Sequence, residues 1–199
     1  MITEYILAGL IGLLFAGIIN IDFRKKDVSP MRRVLSMAAN AIIMVCLCLI
    51  CAHYYGVTYR FVIYTMLAVN LLYISNYDIR EQAVSYEIII VSVICALAVL
   101  VYNKDNTWWN YILSGIGYAA VFMMISRMTR SAIGIGDAFI TGVIGLYLGF
   151  FHALIVVFYA FLLGGLISII LFLMKKVSRQ TTLPFVPFLT AGFIVSILL

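Results

Sequence analysis

The chain has 199 residues, 65% of them hydrophobic and only 11% charged, with a net charge of +5. An ordinary soluble domain is nearer half apolar and a quarter charged, so this composition excludes a large soluble domain. It also excludes an outer-membrane barrel, whose strands run about 10 residues and alternate in polarity. The expectation is an all-α, polytopic membrane protein forming a single integral-membrane domain over residues 1–199.

Runs of about 20 apolar residues cross the hydrocarbon core as helices. In chain order, eight are expected: Ile2–Ile19, Val34–Tyr55, Arg60–Asn76, Tyr86–Tyr102, Trp109–Ile125, Asp137–Phe151, Ala153–Met174 and Leu183–Leu199. The first lacks a basic leader and a small-x-small cleavage site. It carries Glu4 instead, and reads as a retained transmembrane helix rather than a secretory signal. The second holds Cys46, Cys48 and Cys51, and the fourth holds Cys95. Inside apolar runs these behave as small hydrophobes, and neither a metal site nor a disulfide framework is expected. The sixth and seventh are separated only by the tight "GFFHA" sequence. Gly145 and Gly149 are spaced for close helix packing.

The charges orient these spans. Lysine and arginine collect in cytoplasmic loops. Of the 13 basic residues, all but Arg60 and Lys104 fall in alternate loops: Arg24, Lys25, Lys26, Arg32 and Arg33, then Arg80, then Arg127 and Arg130, then Lys175, Lys176 and Arg179. Eight spans with these loops inside leave both termini outside. The positive charge therefore serves topology and the anionic inner leaflet. No nucleic-acid motif is present.

Eight acidic residues remain to be explained. Glu4 and Asp105 fall at the outer edge, Asp22 and Asp27 among lysines, and Glu81 and Glu87 around the third loop. Asp78 follows the third span and Asp137 opens the sixth, so both belong to the cytoplasmic membrane edge. An ionisable group at such a place points to function. Two aspartates at one site can share a proton. One then takes a proton from water while the other polarises a scissile carbonyl. Asp137, at a helix N-terminus, is favoured as the base. Asp78, at a helix C-terminus, is favoured as the acid, with Arg80 acting against this. The histidines, His53 and His152, lie on the outer side, which argues against a serine triad. Gly134 and Gly136 allow close backbone approach and are candidate substrate-binding positions beside Asp137; a plain loop closed by a helix-capping aspartate is the alternative. No cofactor or metal is called for.

Three segments together carry a resemblance. "YDIREQAVSYE" begins at Tyr77, "IGIGDAFITGVIGLYLG" at Ile133 and "LPFVPFLTAG" at Leu183. From about Leu72 onward the chain resembles the bacterial type IV prepilin peptidases, the G-x-G-D membrane aspartic proteases. The resemblance implies that Asp78 and Asp137 are the catalytic pair. It implies cleavage of the basic cytoplasmic leader from prepilins or pseudopilins, whose hydrophobic N-terminal helix stays in the bilayer of the bacterial inner membrane. Two positions depart from the family pattern. Val84-Ser85 stands where isoleucine-proline is usual, and Phe139 where lysine is usual. The first cytoplasmic loop, about Ile21–Arg33, has no cysteine pairs, which implies a short form without the methyltransferase domain of many members. "YD" and "GIGD" also resemble presenilin-like intramembrane proteases, and paired membrane carboxylates also occur in transporters or scaffold subunits.

Overall fold

The computed structural model describes residues 2–21, 30–81, 84–101, 107–128, 134–174 and 184–198. Most of the loop charges used to orient the chain, among them Arg24, Lys25, Lys26, Lys104, Arg130, Lys175, Lys176 and Arg179, lie outside the described residues.

Every described element is helical: α1 (Ile2–Ile21), α2 (Pro30–Tyr55), α3 (Tyr59–Glu81), α4 (Tyr86–Val101), α5 (Trp108–Met128), α6 (Ile135–Leu173) and α7 (Val186–Leu198). Helices suit an apolar chain because each satisfies its own backbone groups where no water is at hand. Four of them, α1, α2, α5 and α6, are long and apolar enough to cross a membrane. The protein is thus an all-α, polytopic membrane protein, but the expected count of about eight separate spans is corrected. Helices α4 and α7 are short, at 16 and 13 residues. The sixth and seventh expected spans form one 39-residue element, α6, with no loop between them.

The chain divides into two compact units, Met1–Tyr73 and Ile74–Leu199, with α3 running from the first into the second. In the first unit α1 and α2 pack antiparallel. Tyr5 Oη meets His53 Nδ1 at 3.0 Å at one end. Midway, a methyl group on Gly12 would come within 2.9 Å of Val45 Cα. At the other end Asn40 Nδ2 donates to Asn20 Oδ1 at 3.2 Å, and Asn20 Nδ2 donates to the Met37 carbonyl at 3.2 Å. Both asparagines are buried, and the Asn20 amide is satisfied at both ends, accepting from Asn40 and donating to Met37. Helix α2 ends at Gly56, whose φ of 60° is the left-handed conformation that closes a helix.

In the second unit, small residues let α5 and the first half of α6 touch backbone to backbone. A methyl group on Gly145 would lie 2.9 Å from the Ser114 carbonyl, and one on Gly142 would lie 2.9 Å from the Gly115 carbonyl. Gly149 has φ 72° and ψ −176°, a combination open essentially to glycine, and it sits against Asn110. The helix reverses there. The twelve residues from Gly149 to Phe161 would carry a straight helix about 18 Å beyond Asn110. Instead Phe161 stacks on Phe122, with ring centroids 5.8 Å apart, and Phe122 lies well inside α5. Next to the turn, Tyr118 Oη donates to the Phe150 carbonyl at 2.9 Å. Helix α6 is therefore a hairpin of two limbs.

Helix α7 runs antiparallel to the second limb. A methyl group on Gly192 would collide with the Val156 carbonyl and lie 2.8 Å from the Ala160 nitrogen, and Gly164 faces the Phe188 ring. Phe185, just before α7, meets Phe161 at 5.2 Å between ring centroids. The second limb and α7 are locked in register by these contacts. Ile140, Ile144, Val156, Ala160, Leu189 and Phe193 are all buried.

Candidate active site

Asp78 lies in the last turn of α3, past its apolar stretch, and is only 5% exposed. Its neighbours in sequence, Ile79 and Arg80, are exposed, so this helix face turns one carboxyl inward. The carboxyl meets the start of α7: the Val186 backbone N–H donates to Asp78 Oδ2 at 3.2 Å. Val186 is the first residue of α7, and a first-turn N–H has no acceptor within its own helix. Pro187, next in line, has no N–H to offer. The free donor at Val186 thus meets the carboxyl.

Asp137 is the third residue of α6 and is partly buried. It reaches back so that the Gly134 N–H donates to Asp137 Oδ2 at 3.2 Å, while the Asp137 N–H donates to the Gly134 carbonyl at 3.1 Å. This reciprocal pair caps the helix in the manner of a capping box. Gly134 itself has φ −62° and ψ 143°, which any residue can adopt. A methyl group there would crowd Asp137 Oδ2 at 3.2 Å. Gly136 faces Val84, whose Cβ would lie 3.1 Å from an added methyl. Two positions singled out in the sequence therefore touch: the second glycine of G-x-G-D, and Val84. Ser85 occupies the position before α4, where serine favours a helix start.

The two carboxyl groups are close enough for their charges to interact. Burial raises the Asp78 carboxyl above its ordinary range, and the Val186 N–H acts in the opposite sense. The net direction for Asp78 is upward. Each carboxyl has one oxygen, Oδ2, held by a backbone N–H. Among the described residues no group of histidine, cysteine and carboxylate side chains is arranged to hold a metal ion.

Sequence reasoning singled out both aspartates and both glycines. It missed the Val186 N–H, because a backbone donor has no letter of its own. The one available signal was the pair of prolines in "LPFVPFLTAG", which marks a helix start. It also missed Val84 as the neighbour of Gly136, since nothing in the sequence places residue 84 against residue 136.

No curated protein and no solved structure matches the chain. The sequence model of the type IV leader peptidase family matches residues 65–169. That range takes in Asp78, α4, α5, Asp137 and most of α6, and it stops before α7. More than half the chain is covered, with both aspartates inside the match, and the chain belongs to the type IV leader peptidase family.

Proposed function

We propose that the protein is a membrane aspartic endopeptidase that removes the basic leader from type IV prepilins or pseudopilins at the cytoplasmic membrane face, with Asp78 and Asp137 as its catalytic pair. One observation carries this reading: two aspartates at helix ends, each with Oδ2 held by a backbone N–H, both fall within the residues matched to a family of leader peptidases.

The chemistry needs little else. One aspartate in its anionic form takes a proton from a water molecule as the water oxygen attacks the scissile carbonyl. The other, protonated, donates to the carbonyl oxygen, and the tetrahedral intermediate collapses as the leaving amine gains a proton. Asp137, at a helix N-terminus, serves as the base and Asp78, at a helix C-terminus, as the acid. The pair titrates as a unit. Gly134, exposed beside the Asp137 carboxyl, supports an extended substrate lying there, whereas Val84 fills the space at Gly136. The distribution of basic residues supports a cytoplasmic site with both termini outside, and the reversal at Gly149 supports two crossings by α6. The enzyme acts in the bacterial inner membrane, with no cofactor.

The test is reconstitution with a prepilin in lipid vesicles. The wild-type chain is expected to remove the leader, and Asp78→Asn and Asp137→Asn are each expected to abolish cleavage. Unchanged cleavage by either variant removes that residue from the mechanism.

A further inference from the structure

The α7 N-terminus lies outside the residues matched to the family, yet it touches Asp78. We infer that Val186 is a positioning residue of the active site, acting through its backbone N–H: it occupies Asp78 Oδ2 and leaves Oδ1 as the oxygen that carries the transferable proton. This inference rests on the proposed function above.

Three observations carry it. First, the donor is committed to this contact. Val186 opens α7, so its N–H has no acceptor within its own helix, and it lies 3.2 Å from Asp78 Oδ2. Second, the donor is held firmly. The Val186 side chain is fully buried. Its carbonyl accepts from Thr190 Oγ1 at 3.0 Å. The Phe185 carbonyl behind it accepts from the Phe188 N–H at 3.0 Å and the Leu189 N–H at 3.2 Å. The Phe185 ring rests on Phe161, and Gly192 brings α7 onto the second limb of α6. Third, the other aspartate is arranged in the same way, with Asp137 Oδ2 taking the Gly134 N–H at 3.2 Å.

A protonated carboxyl bears its hydrogen on one oxygen, and an oxygen already accepting an N–H is the poorer place for it. Anchoring Oδ2 on each aspartate therefore presents the two Oδ1 atoms for proton exchange. Helix α7 brings a second benefit. Asp78 sits at the negative end of α3, and the positive end of α7 offsets that field.

The experiment removes the N–H alone. Val186 is replaced in the full chain by its α-hydroxy analogue, which turns the Phe185–Val186 amide into an ester and keeps the isopropyl group. Val186→Pro is the companion variant, since proline is accepted at the first helical position and leaves the Phe185 carbonyl as an amide. Two quantities are read in vesicles: cleavage kinetics on a prepilin, and the infrared carboxyl stretch assigned to Asp78 as the band lost in Asp78→Asn. The expected result is a kcat about ten- to a hundred-fold lower with KM unchanged, together with a shifted Asp78 band. Wild-type kcat, or an unshifted band, in either folded variant overturns the inference. Failure of the wild-type chain to cleave any prepilin counts against the proposed function instead, and the infrared band still decides this one.

Discussion

Gly149→Ala tests the hairpin on which the second half of the site depends. The perturbation adds one methyl group at a residue with φ 72° and ψ −176°. That backbone region is essentially closed to other residues, and holding a side chain there costs about 1–3 kcal/mol. The new Cβ would also lie 2.8 Å from Asn110 Nδ2. Relieving that overlap costs about 1–3 kcal/mol more, less if the asparagine swings aside. Asn110→Ala separates the two contributions, because it removes the overlap and leaves the dihedral unchanged. Equilibrium unfolding in detergent micelles, run on the wild type, both single variants and the double variant, closes a thermodynamic cycle. The expected result is a destabilisation of about 2–6 kcal/mol for Gly149→Ala, with about 1–3 kcal/mol persisting in the Asn110→Ala background. Because α7 is seated on the second limb, cleavage should fall alongside stability. A Gly149→Ala protein as stable as wild type would refute the reasoning, since the reversal would then not depend on glycine.

The close contact at Gly192 gives a related test. Gly192→Ala drives a methyl group toward the Val156 carbonyl and the Ala160 nitrogen, both backbone atoms that cannot swing away. A loss of about 1–3 kcal/mol is expected in the same unfolding assay, with cleavage reduced as α7 shifts from Asp78. The pH dependence follows from the pair. Cleavage should be bell-shaped in pH, falling at low pH when both aspartates are protonated and at high pH when the shared proton leaves. Burial raises Asp78 relative to its unfolded value, so its contribution to stability is fully present below the unfolded pKa and is lost as pH rises through the folded one. Asp78→Asn should remove that part of the pH dependence of unfolding. An unchanged stability profile would show that Asp78 does not titrate differently in the fold.

The helical, membrane-embedded class was legible because one apolar run after another leaves no other solution for the backbone. The separate count of eight was not matched: only four helices are long and apolar enough to cross, and at α6 the reason is local. "GFFHA" contains the turn, but a single glycine performs it, so no loop of ordinary length intervenes. The two aspartates were legible because an isolated acid beside an apolar run is conspicuous. Their anchoring was not. Gly134 was noted for close backbone approach, and its dihedrals are ordinary. What its position supplies is an N–H for Asp137 and room beside that carboxyl. The glycines of α6 show the same limit from the other side. Gly145 was read as a packing residue, and it does touch α5. Gly149 was read in the same way, but its main role is to bend the chain back, which spacing alone does not reveal.

Chain order gives the site a timetable. Asp78 and Asp137 are synthesised before α7, so during translation both carboxyls exist while the Val186 donor is still to come. A nascent chain that has inserted through α6 holds Asp78 at the end of α3 without the amide that fixes its outer oxygen. The full cleavage rate then arrives only once the last helix docks on the α6 hairpin. The membrane would be spared an unguarded protease during assembly.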